Sequence, residues 1–206
     1  TQPYKALEYF NRALEISETL LAESDTPRNK QELASTLNRL GDVYRDLDKP
    51  REALRYYQKR LNICETLLAE SDTPKNRRQL GTSHNRIGLV QLSLNYVEKA
   101  LESFQLDLDL REELLKITGI PKDKNEVAIS MANKGDVYRE LNQSYKALNL
   151  FQRSLEIRET ILSECNTPQN QQGIAFSLNR AGDVHRDLTQ PYKALEYFNR
   201  ALEISE

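Results

Sequence analysis

The stretch Leu37-Asn38-Arg39-Leu40-Gly41-Asp42-Val43-Tyr44 returns three times along the chain: as Asn85-Arg86-Ile87-Gly88-Leu89-Val90, as Asn133-Lys134-Gly135-Asp136-Val137-Tyr138, and as Asn179-Arg180-Ala181-Gly182-Asp183-Val184-His185. The glycines stand at 41, 88, 135 and 182, so each step is 47 residues. A fixed period of this size is the mark of a solenoid, in which each unit packs only against its neighbours. Units 1–47, 48–94, 95–141 and 142–188 align without a gap, and 189–206 begin a fifth copy identical to residues 1–18. The whole of 1–206 therefore reads as a single repeat domain. It opens on Thr1 and on the second helix of a unit, which suggests a piece of something longer.

Composition agrees with an open repeat. Hydrophobic residues make up 38% of the 206 positions, below the ~45–50% of ordinary domains. Lys and Arg total 29 against 31 Asp and Glu, a net charge of −2. That balance gives no electrostatic case for nucleic acid or an anionic membrane surface. No apolar run reaches membrane-spanning length. Cys64 and Cys165 sit in different columns with no metal-ligand spacing, so both read as free thiols of a reducing, cytoplasmic compartment.

All seven prolines fall in two columns: 27, 74, 121 and 168 form one, and 3, 50 and 191 the other. Proline is tolerated in the first helical turn and disrupts an interior, so the columns mark helix starts. Thr26-Pro27, Thr73-Pro74 and Thr167-Pro168 read as a capping residue followed by the first helical position. Between the marks lie two amphipathic segments per unit, near 3–22 and 28–47 in the first copy. In the former, Ala6, Leu7, Phe10, Leu14, Ile16, Leu20 and Leu21 recur at spacings of three and four, which puts most of them on one helical face. No alternating strand pattern or hairpin turn appears. The expectation is an all-α solenoid of antiparallel helix pairs.

Leu37-x2-Leu40-Gly41-x2-Tyr44 followed by Ala53-x3-Tyr57 resembles the tetratricopeptide repeat, whose pattern is W-x2-L-G-x2-Y…A-x3-F. The glycine-to-alanine separation recurs at 88 to 100, 135 to 147 and 182 to 194. Ser154-Leu155-Glu156-Ile157-Arg158-Glu159 is similar to the kinesin-light-chain-like branch and to bacterial arrays of that type. The chain departs from the pattern in its 47-residue unit, in Leu37, His84, Met131 and Leu178 at the tryptophan column, and in Arg60 and Asp107 where a small residue is usual. A HEAT-type repeat of similar length is the architectural alternative, opposed by the glycine, alanine and aromatic columns. The resemblance implies a right-handed superhelix. Gly41 and Ala53 are expected to let two helices approach closely while Tyr57 fills the gap beside them.

The residues show no catalytic constellation, phosphate loop or metal set, and no cofactor is expected. His84 and His185 replace packing residues. The resemblance implies a concave groove lined by the first helix of each unit, through positions flanking the glycine. These are Asn38, Arg39, Asp42 and Arg45, then Asn85, Arg86, Leu89 and Leu92, then Ala132, Asn133, Asp136 and Arg139, and finally Asn179, Arg180, Asp183 and Arg186. Asparagine can pair with an extended peptide backbone, and arginine can grip a carboxylate with two bonds. Leu89 and Leu92 interrupt the polar columns. The competing reading is internal: Arg39, Asp42 and Arg45 form a charge ladder within the helix, and the asparagines bond neighbouring repeats.

The expected function is a non-enzymatic scaffold for a protein or peptide partner. Two alternatives stand beside it: a spacer or self-assembling array without a groove ligand, and the regulatory segment of a larger effector. Residues 189–206 keep Ala194, Leu195, Phe198 and Leu202 with no following unit, so terminal apolar faces point to end-to-end association of molecules or to a longer array.

Overall fold

The computed structural model describes residues 2–205, and the side chains of residues 4–204. Among the described residues there are nine helices and no strand. They are α1 (Gln2–Glu23), α2 (Pro27–Asp46), α3 (Pro50–Glu70), α4 (Pro74–Ser93), α5 (Val97–Thr118), α6 (Pro121–Glu140), α7 (Ser144–Glu164), α8 (Pro168–Asp187) and α9 (Pro191–Ser205). The sequence-derived segments agree with α1 and α2 to within one residue at each end. The chain divides into two compact units, Thr1–Leu110 and Arg111–Glu206, with the boundary inside α5.

The proline columns act as expected. Pro27, Pro74, Pro121 and Pro168 open α2, α4, α6 and α8. The hydroxyls of Thr26, Thr73 and Thr167 each accept from the backbone N–H three residues on, at 3.2 Å. Ile120 stands in the third copy and offers no such cap. The turn ending each of these helices carries Asp48, Asn95, Asn142 or Thr189 in the left-handed region, at φ between 56° and 59°.

In the first unit α2 packs on α3, and α3 on α4. Ala34, Ala53, Tyr57, Leu61, Leu80, Ile87 and Val90 make its core, with the Cys64 thiol among them. In the second unit α6 packs on α7, α7 on α8 and α8 on α9. There Ala132, Ala147, Phe151, Ala181 and Val184 form one cluster, and Leu155, Ile174, Leu178 and Ala201 another.

The glycine column sets how closely the helices of a pair approach. A Cβ at Gly41 would overlap the Tyr57 ring, and one at Gly88 would meet Phe104 at 2.9 Å. Gly135 and Phe151, then Gly182 and Phe198, repeat the contact at 2.8 and 2.7 Å. No side chain fits between such rings and helices, so the glycine that costs ~1 kcal/mol of helix propensity is what permits the packing.

Candidate binding groove

The expected groove residues lie on α2 and α4 in the first unit and on α6 and α8 in the second. Four helices present them because the apolar columns of each first helix turn inward against its partner, leaving the expected groove residues other than Ala132 half-buried or exposed.

In the first unit the centre is Asp42. It accepts from the Tyr57 hydroxyl at 2.6 Å and from Asn38 Nδ2 at 2.9 Å. Arg86 of α4 pairs with it at 3.1 Å, and Arg45 lies 3.7 Å away one turn along. Arg39 takes no part in a ladder with Asp42; its guanidinium lies over the Phe10 ring at 5.8 Å. Asn85 turns to the buried Asp107 at 3.2 Å. Leu89 is exposed and Leu92 half-buried.

The second unit uses the same register. Arg180 Nε of α8 pairs with Asp136 of α6 at 3.3 Å, and Arg139 Nη1 with Asp183 at 3.5 Å. Arg139 also holds Asp187 at 2.6 Å, while Arg186 pairs with Asp183 at 2.9 Å within α8. The Asp42–Arg86 and Asp136–Arg180 pairs both span 44 residues, one repeat less one helical turn. At the intervening step this column pair is Leu89 and Asn133, where both charges are absent together. Burial raises the Asp136 carboxyl to about 6 against the opposing pull of Arg180 and Arg139. Asn179 and Arg186 stay exposed, and Ala132 lies in the core.

Sequence reasoning missed the residues below this surface. Arg158 of α7 is a buried guanidinium whose Nη1 donates to the Gly173 carbonyl. Phe176 of α8 lies between two cations, with Arg158 5.5 Å and Arg180 5.0 Å from its centre. Asn125, Asn133, Gln169 and Gln172 join them around a cleft of about 350 Å³. The available signal was the Arg158 column itself, Ser17, Cys64, Arg111 and Arg158, which changes from small to cationic in the last copies. The irregular Arg60 is also buried, bonded to the Gln79 carbonyl at 3.1 Å and to Ser83. Burial holds its pKa below the usual arginine value.

His185 is buried, hydrogen-bonded to Gln190 at 2.9 Å and stacked on Tyr197, the packing role its column suggests. Burial lowers the pKa of His84. Among the described residues no group of three His, Cys, Asp or Glu side chains could hold a metal, and no helix is long and apolar enough to cross a membrane.

Paired helices, a glycine against each aromatic ring and a fixed 47-residue register together define an α-helical repeat protein. The chain belongs to the tetratricopeptide repeat family, whose profiles match residues 2–66 and 32–106, 127–164, and 177–206. No curated protein sequence matches it. Among solved structures it is similar to the apo form of RapI, at 21% identity and a TM-score of 0.74 over 98% of this chain and 49% of that one. It thus spans about half the length of RapI. A putative kinesin light chain of Podosopora anserina, with nearly identical repeats, gives 15% identity and a TM-score of 0.67 over 98% of this chain and 92% of that one. BtubC from P. vanneervenii gives 16% and 0.58, covering 99% and 91%. At these identities the likenesses show the fold alone.

Proposed function

We propose that the chain is a non-enzymatic protein-interaction scaffold, forming one repeat domain that binds an extended peptide or partner segment on the groove faces of α2, α4, α6 and α8. The observation that carries this reading is the amide-lined cleft beside Asn133, with the exposed Phe176 ring at its edge. Backbone-reading amides next to an apolar ring and a guanidinium suit a peptide better than a small metabolite. Much of the charge on these faces is already paired across helices, so the groups open to a partner are chiefly Arg45, Asn179 and Arg186. A cytoplasmic location follows the reading of the free thiols.

Affinity capture tests it, comparing the native chain with an Arg45→Glu, Arg186→Glu double variant after circular dichroism shows equal helicity. Both arginines pair only within their own helices, Arg45 with Asp42 and Asp46 and Arg186 with Asp183, contacts worth ~0.2–0.5 kcal/mol each, so folding is preserved. Arg139 is left intact because it ties α6 to α8. A partner held by the native chain and lost by the variant supports the groove. Equal capture by both overturns it.

A second reading, association of molecules through their ends, rests on Leu202. Its counterparts Leu61, Leu108 and Leu155 are at most 7% exposed, whereas Leu202 is 60% exposed. Leu195 beside it is also exposed, while Ala194 is buried and Phe198 packs on Gly182. The terminal hairpin therefore uses part of the apolar face that the sequence left open, and Leu195 and Leu202 are what remain for a partner.

A further inference from the structure

Arg111 and Arg158 occupy the same position of successive repeats and meet opposite fates. Arg111 Nη1 pairs with Glu126 Oε2 at 2.6 Å. One repeat on, the position of Glu126 is Gly173. The guanidinium of Arg158 is kept and its carboxylate is not. Arg158 is 6% exposed, and its Nε has no hydrogen-bond acceptor. The space a glutamate would fill is part of the 350 Å³ cleft, and no acidic residue lines it.

From this vacancy we propose that the Arg158 cleft is an anion site that takes a carboxylate, supplied by an acidic side chain of the bound peptide. A buried charge without a partner is costly, and a charge-assisted pair with bidentate geometry offsets that cost most fully. Nη1 is committed to the Gly173 carbonyl and Phe176 packs on the guanidinium, so the group is held in place before the ligand arrives. Arg180, on the same ring, has Asp136 as its counter-ion. The amides of Asn125, Asn133, Gln169 and Gln172 stand where they can hold the peptide groups flanking the acidic residue. Burial alone lowers the pKa of Arg158, to about 10, so it is still cationic at neutral pH. The charges facing the cleft therefore favour an anion and reject a cation.

The proposal depends on the groove reading only for the source of the carboxylate, and the two fail separately. A small carboxylate tests the cleft with no partner protein, and the capture experiment tests the groove with Arg158 untouched. The test follows the arginine Nε–H resonances of the full chain by NMR. The titrants are N-acetylglutamate α-amide, its neutral glutamine counterpart, and sodium phosphate, all at constant ionic strength. The expected result is a saturable shift at Arg158 with the glutamate compound, at least about tenfold weaker or absent with the glutamine one, as loss of a charged hydrogen bond implies.

Gly173→Glu supplies the carboxylate internally, since the three atoms nearest a Cβ there all belong to the Arg158 side chain, the closest at 3.4 Å. It should abolish the response and melt at a higher temperature than Gly173→Ala, which matches it in filling the helix. No saturable shift, an unchanged response in Gly173→Glu, or no melting difference between the two variants would overturn the proposal. So would saturation by phosphate alone, which would mark a site for inorganic anions.

Discussion

The Tyr57 ring occupies the place of the side chain that Gly41 lacks. The same phenol reaches past the glycine to donate to Asp42 at 2.6 Å. One aromatic residue thus sets the helix spacing and helps anchor the Asp42 carboxylate.

Two substitutions separate these roles. Gly41→Ala forces a methyl group against a fully buried ring, at a cost of ~1–3 kcal/mol that the ~1 kcal/mol gain in helix propensity only partly offsets. Tyr57→Phe keeps the ring, as Phe104, Phe151 and Phe198 do in their copies, and should lose only the hydroxyl bond to a carboxylate, about 1.5–3 kcal/mol. Urea unfolding followed by circular dichroism should place both variants below the native chain. A neutral Gly41→Ala would contradict the packing account.

Asp136 should titrate near 6, read from its carboxyl carbon by NMR, because burial disfavours its charge. The sign follows from a folded pKa above the unfolded value of 3.8. The folded state binds the proton more tightly, so this group's contribution worsens as pH rises from about 4 to about 6 and is level above. The shift corresponds to about 2–3 kcal/mol. The stability of the native chain relative to Asp136→Asn should therefore rise as pH falls from 7 to 5. A carboxyl titrating near 4 would contradict the expectation.

Thr189 holds φ at 56°, a conformation that a β-branched residue adopts at a penalty and asparagine tolerates. Asn95 and Asn142 fill the same column. Thr189→Asn should raise stability by roughly 0.5–1 kcal/mol, measured as an upward shift of the urea midpoint. No shift, or a loss, would count against strain at this turn.

Leu195→Lys with Leu202→Lys removes the apolar remainder of α9 without touching the groove. If molecules associate through this end, sedimentation should show a concentration-dependent rise in mass for the native chain and none for the variant. A native chain that stays monomeric at every concentration rules out the second reading.

The helix starts and the close packing were legible because each rests on a local rule: proline at a first turn, threonine before it, glycine opposite an aromatic ring. The cross-helix pairs were not. Asp42 and Arg86 are 44 residues apart, and only the packing phase of α2 on α4 shows that the register is a repeat less one turn. Without that phase, Asp42 looked like a rung of its own helix with Arg39 and Arg45, whereas Arg39 lies on Phe10. Arg158 was hidden for a related reason. Its column lies on the second helix of the unit, and its significance is a missing glutamate at position 173, visible once Arg111 and Glu126 are seen to touch.

The central claim is that the first helix of each unit is the working surface. Hydrogen exchange read by mass spectrometry, with and without a partner captured by the native chain, tests it most directly. The account predicts slowed exchange on binding in residues 27–46, 74–93, 121–140 and 168–187, strongest around the Arg158 cleft in α6 and α8. Slowing confined to α1 and α9, or to α3 and α7, would contradict it.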